Sequence, residues 1–153
     1  MFRPARIFVA YAACLLFLTA CAGDGVQGTD AILQSVKDVN PGSAYIYRDT
    51  GFAGSVGRMD VRVDGTSVGR IANREALEFT LPAGAHMIEV GYATNIGTAF
   101  RPVTMQLTVD AKRPYYFIVK QDFKMVPMIV VTITETTLYL AEITRETFLA
   151  YIR

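Results

Sequence analysis

The sequence predicts an all-β domain, an antiparallel sandwich or barrel, with one short helix before it and one after it. Three observations carry that prediction. From Ser43 onward apolar residues recur at every second position, the period of a strand with one buried face. Turn residues interrupt the pattern roughly every 8–12 residues, as in sandwiches and barrels. On either side of this stretch the apolar spacing changes to that of a helix.

Thr29 or Asp30 can cap the first helix, whose Ile32, Leu33, Val36 and Val39 share one face, and Asn40-Pro41-Gly42 stops it. That face is expected to pack on the domain, because Lys37 is the helix's only basic residue and helices that lie on membranes carry several. Met59, Val61 and Val63 alternate with Asp60, Arg62 and Asp64. Asp64-Gly65 then offers the positive φ angles of a tight hairpin, with residues 66–72 returning. Leu77, Phe79 and Leu81 alternate with Glu78 and Thr80, and Pro82-Ala83-Gly84 is expected to close a second hairpin with residues 85–92. Val103, Met105, Leu107 and Val109 mark a strand with one wet face.

Residues 115–119 and 128–133 are apolar on both faces, which suits central strands covered on both sides or strands that meet a partner. Residues 138–143 read as a last strand. Residues 145–152 read as a helix that turns Phe148, Leu149 and Ile152 inward over an apolar surface. A homo-oligomeric or heteromeric interface through the apolar C-terminal strands is the alternative use of that surface.

The N-terminus carries an address. Arg3 and Arg6 precede an apolar run over residues 7–18, which is too short for a helix that must cross a hydrocarbon core in about 20 residues. Leu18-Thr19-Ala20-Cys21 follows, and these four residues resemble the lipobox of bacterial lipoproteins. The resemblance implies cleavage before Cys21, a diacylglyceryl group on its thiol and a fatty acyl chain such as palmitate on the new amino terminus. Several chains anchor a protein stably where one gives marginal binding. Within that resemblance an Asp after the cysteine would retain the protein in the inner membrane. Ala22 stands there instead, so the expectation is lipid anchoring at the periplasmic face of the outer membrane. The chain then divides into a signal peptide (1–20), a lipid-anchored tether with a short amphipathic helix (21–42) and a β domain (43–153).

Removing the signal takes Arg3 and Arg6 from the 15 basic residues and leaves 13 against 14 acidic ones, a formal net charge of −1. No basic stripe remains for phosphates, which argues against nucleic acid as a partner. Cys14 leaves with the signal and Cys21 is taken by lipid, so no disulfide is expected even in an oxidising compartment. Residues 22–28 have the composition of a flexible tether with a reach of roughly 15 Å.

Four segments carry a second resemblance. These are Ala44-Tyr45-Ile46-Tyr47-Arg48, Val63-Asp64-Gly65 with Val68-Gly69, Leu81-Pro82-Ala83-Gly84-Ala85-His86, and Tyr115-Tyr116-Phe117-Ile118-Val119. In order and spacing they are similar to the bacterial lipoprotein domain called domain of unknown function 2846, over roughly residues 43–143. The resemblance implies a β-sandwich of prealbumin-like or immunoglobulin-like type, in a family without an established activity.

No catalytic constellation stands out. His86 is the single histidine and shares strand parity with Ile88, Val90 and Tyr92, which puts it at the rim of the core in a structural hydrogen bond. A metal site would need further ligands, and without a free cysteine only carboxylates could supply them; no metal or cofactor is expected. Ser43, Ser55 and Ser67 lack the G-x-S-x-G context of a nucleophile elbow. Asp60 and Asp64 alternate with valines, as on a solvated strand face, and Lys120, Asp122 and Lys124 read as a solvated strand end.

Candidate binding residues are Phe52 and Val56, at the tip of the glycine-rich segment 51–57, and Arg48, which shares a face with Ile46 and reads as a paired or rim arginine. The segment 94–100 is a second loop, at the same end or the opposite one. Together these features predict a non-catalytic, lipid-anchored module that binds an envelope protein or polymer. The alternative is a small-ligand or hydrolytic site in a cleft near His86 and Arg48.

Overall fold

The computed structural model describes residues 29–38, 40–51, 57–93, 101–127 and 132–153, with the backbone alone for residues 29, 123–127 and 132–136. Within these residues the order is α1 (Thr29–Asp38), β1 (Ser43–Asp49), β2 (Met59–Val63), β3 (Thr66–Ile71), β4 (Ala76–Thr80), β5 (Gly84–Tyr92), β6 (Val103–Val109), β7 (Tyr115–Pro127), β8 (Thr132–Glu142) and α2 (Arg145–Tyr151). The strands form a β-sandwich. Sheet A has the order β4-β1-β7-β8 and sheet B the order β3-β2-β5-β6. The pairings are antiparallel except that of β1 with β7, which runs parallel from Ala44↔Tyr115 to Asp49↔Lys120.

Strand alternation places the core between the sheets. Ala44, Ile46, Leu77, Phe79, Tyr115, Phe117 and Val119 of sheet A meet Met59, Val61, Ile71, Ile88, Val90 and Val109 of sheet B. Burying an aliphatic or aromatic side chain of this size contributes about 1.5–3 kcal/mol. The opposite face of sheet A is also apolar. There Tyr45, Tyr47, Tyr116 and Ile118 lie under Ile32 and Val36 of α1 and Phe148 and Ile152 of α2. Phe148 sits 6.1 Å from the Tyr45 ring and 5.4 Å from the Tyr116 ring. The central strands β1 and β7 are therefore covered on both sides, which accounts for their unbroken apolar runs. Thr144 caps α2 by accepting from the Thr147 N–H, as a helix N-terminus requires. Sheet B keeps a wet outer face, with Arg62, Ser67, Thr104, Gln106 and Thr108 exposed.

The Asp64-Gly65 hairpin forms as its composition predicts, with φ of 50° and 81° at the two residues. The second expected hairpin does not form. β4 pairs with β1, whereas β5 pairs with β2 and β6, so Pro82-Ala83-Gly84 carries the chain from one sheet to the other. A hairpin and an inter-sheet corner call for the same Pro and Gly residues, and core-facing parity is identical for both.

The C-terminal strands are longer than expected. β7 continues past Val119 to Pro127, so Lys120 and Asp122 lie within it, and β8 begins at Thr132 and pairs with β7 from Pro127↔Thr132 to Phe117↔Glu142. Thr132 and Ile133 thus belong to the same strand as Leu138, while residues 128–131 lie outside the described residues. At the β6–β7 corner the Asp110 N–H donates to Tyr115 Oη at 2.6 Å, five residues downstream. Arg113 covers the same ring at 3.9 Å and pairs with Glu142 at 2.8 Å. This is the geometry of a tyrosine corner, which ties a strand start to the chain just before it.

Candidate functional site

Arg48 stands at the end of β1 on the face of Ala44 and Ile46, so strand parity directs it between the sheets. It is fully buried. Its Nε donates to Thr50 Oγ1 at 3.2 Å, and Nη1 donates to the carbonyl oxygens of Gly57 at 2.8 Å and Ile71 at 3.1 Å. Nη2 donates to Tyr92 Oη at 3.4 Å, and the guanidinium lies 5.3 Å from the centre of that ring. Tyr92 Oη in turn donates to Gln121 Oε1 at 2.7 Å. Thr50 N–H and Oγ1 each donate to Asn73 Oδ1 at 3.0 Å, and Asn73 Nδ2 donates to the Gly51 carbonyl at 3.1 Å. Burial lowers the Arg48 pKa and the contact with Tyr92 opposes the fall; a guanidinium stays protonated in either case. Of the paired or rim position expected, only the rim is corrected: Arg48 is hydrogen-bonded through all three guanidinium nitrogens and buried at the end of the core, joining β1 to β3 and β5 directly and to β7 through Tyr92.

The same end collects the connections. β1 and β7 are parallel and leave together, with Asp49 beside Lys120, and Met59 at the start of β2 pairs with Tyr92 at the end of β5. The described residues flanking 52–56, 94–100 and 128–131 therefore all lie at this end. Phe52 and Val56 themselves lie outside the described residues.

His86 is at the other end. Its Nδ1 is 2.7 Å from Asp64 Oδ2 and its Nε2 is 3.0 Å from the Pro82 carbonyl oxygen. The hydrogen bond to Asp64 raises the His86 pKa, and the Met87 N–H and His86 together lower that of Asp64. Both ring nitrogens are occupied, leaving neither for a serine. An open groove beside the ring is lined by Asp64, Ala85, Met87, Gln106, Leu107 and Thr108. Tyr92 lies six positions along β5 from His86, about 20 Å at strand rise. A single cleft that uses both His86 and Arg48 is thereby corrected, since the two lie at opposite ends of the sandwich.

Asp60 departs from the solvated face expected of it. It is 8 % exposed, accepts from Ser67 Oγ at 2.5 Å and pairs with Arg62 at 2.8 Å, while Arg62 also reaches Glu89 at 3.5 Å. Asp64 is engaged with His86, so the two aspartates serve separate contacts. Lys120 and Asp122 are exposed as expected, and Lys120 lies 4.8 Å over the Tyr151 ring. The side chain of Lys124 and all of Cys21 and Ser55 lie outside the description.

Among the described residues, no group of three or more His, Cys, Asp or Glu side chains could hold a metal, and no helix is long and apolar enough to cross a membrane. Sequence parity had placed Tyr92 near the core; Thr50, Asn73 and Gln121, the other members of the Arg48 network, left no such signal. Comparison with protein-family models and with curated proteins found no match for this chain.

Proposed function

We propose that the chain is a lipid-anchored envelope lipoprotein, at the periplasmic face of the outer membrane, whose sandwich binds a protein or polymer partner without catalysis. The observation that carries this reading is Leu18-Thr19-Ala20-Cys21 after a short apolar run, followed directly by a tether and a compact domain. The use of the ionisable groups supports it. Arg48 is committed to holding the sheets together and His86 to holding two turns, so neither stands ready for chemistry. The Arg48 end is the proposed contact surface, because the connections that include Phe52 and Val56 leave from it and loop ends of sandwiches carry recognition. The tyrosine corner and the two four-stranded sheets are in keeping with an immunoglobulin-like or prealbumin-like type, and with the resemblance to domain of unknown function 2846.

Site-specific photocrosslinking in living cells tests the reading. Ala93 and Ala83 are both exposed and stand at opposite ends of the sandwich. A crosslinker at Ala93 is expected to trap a reproducible envelope component that one at Ala83 does not. Equal trapping from both, or none from either, would count against a partner at the Arg48 end.

A further inference from the structure

His86 contacts two acceptors. Asp64 Oδ2 lies 2.7 Å from Nδ1 and the Pro82 carbonyl oxygen 3.0 Å from Nε2. A neutral imidazole has one N–H and could satisfy only one of them; the imidazolium satisfies both. The contacts also join two separate pieces of chain. Asp64 belongs to the β2–β3 turn and accepts from the Met87 N–H at 2.9 Å through its other oxygen. Pro82 belongs to the corner between the sheets, and its neighbour Leu81 donates its N–H to the Gly42 carbonyl at 2.9 Å. Gly42 is where the chain from α1 enters β1, so the line of contacts runs from the sheet B hairpin to the point at which the domain meets its N-terminal segment.

We propose that the His86 imidazolium is a pH-sensitive clasp that holds the β2–β3 turn, the β4–β5 corner and the start of β1 together. The surroundings suit a single-group device. Among the described residues, Asp64 is the one charged partner that His86 contacts; β6, packed beside β5, contributes Leu107 opposite His86 with Gln106 and Thr108, and the corner contributes Pro82, Ala83 and Gly84. All are neutral. The sign follows from the two partners. His86 has its pKa raised by Asp64 above the ordinary imidazole value of about 6.5. Its contribution to stability is therefore complete below that ordinary value and is lost as pH rises through the raised one. Asp64, lowered in the fold, keeps its charge until pH falls through its own depressed value. The clasp is closed between those limits and opens on the alkaline side.

The sole histidine makes this directly readable. Full-length protein labelled with 15N-histidine, held in detergent and prepared without a histidine tag, gives one imidazole to follow by NMR. The expected result is a titration midpoint above 6.5 that falls in Asp64→Asn, with protons on both ring nitrogens on the acid side of that midpoint. A single neutral tautomer with a midpoint at or below 6.5 would overturn the proposal. Hydrogen exchange of the Leu81 amide, corrected for its intrinsic pH dependence, supplies a second measurement. Protection should drop as pH passes the midpoint in the wild type and show no such step in His86→Gln. A step of equal size in both, or in neither, would overturn it as well.

Discussion

Tyr92 Oη donates a 2.7 Å hydrogen bond to Gln121 Oε1, and this bond crosses from sheet B to sheet A. Gln121 is 7 % exposed and its Nε2 has no partner among the described residues, so Tyr92 supplies the hydrogen bond on which its burial depends. Tyr92→Phe keeps the ring over which Arg48 sits and removes only the hydroxyl. The variant is expected to lose about 1–3 kcal/mol, the cost of leaving a buried acceptor unpaired. Urea unfolding checks this as a lower midpoint at unchanged slope; an unchanged midpoint would contradict it.

Arg48→Met keeps most of the side-chain length and removes every donor. The carbonyl oxygens of Gly57 and Ile71 then lose the hydrogen bonds that Arg48 donates, as does Thr50 Oγ1, which still donates to Asn73. Two carbonyls deprived of that donor, at about 1–3 kcal/mol each, predict a loss of roughly 2–6 kcal/mol. Arg48→Lys keeps the charge but cannot reproduce the planar fork, so it should fall between wild type and Arg48→Met. Thermal unfolding of the three proteins measures the order, and a lysine variant as stable as wild type would show that charge alone suffices.

Phe148 is fully buried against the rings of Tyr45 and Tyr116. Phe148→Ala should destabilise the fold by about 3–5 kcal/mol, the usual cost of emptying an aromatic site. Arg145 Nε donates to the Val36 carbonyl at 3.1 Å, so loss of α2 also removes a hydrogen bond from α1. Increased binding of a hydrophobic dye under native conditions is the expected accompaniment. No increase, with stability unchanged, would mean that α2 is not what covers this face.

The parts of the fold that were legible in the sequence are those in which local chemistry and tertiary role coincide. Asp64-Gly65 supplies both left-handed residues of its turn, and Phe148 and Ile152 repeat at helical spacing because one partner face is all they meet. The doubly apolar run of residues 115–119 suits either a strand covered on both sides or one that meets a partner, and in the fold the second sheet and the two helices supply the two covers. Pro82-Ala83-Gly84 misled because a corner between sheets and a hairpin within one ask for the same residues; the difference lies in pairing across long sequence separation. Arg48 was placed on the correct face, but its depth depends on Gly57, Ile71, Tyr92 and Gln121, four residues from four parts of the chain. Asp60 was misjudged for a related reason. Its alternation with valines indicated the outer face correctly, and only the neighbours Arg62 and Ser67 remove it from water.

The central claim is that Cys21 fixes this sandwich to a membrane by lipid. Metabolic labelling with radioactive palmitate, comparing wild type with Cys21→Ser, tests it most directly. The account predicts label on the wild-type protein and none on the serine variant. A wild-type protein without label, or a Cys21→Ser protein labelled to the same extent, would contradict it.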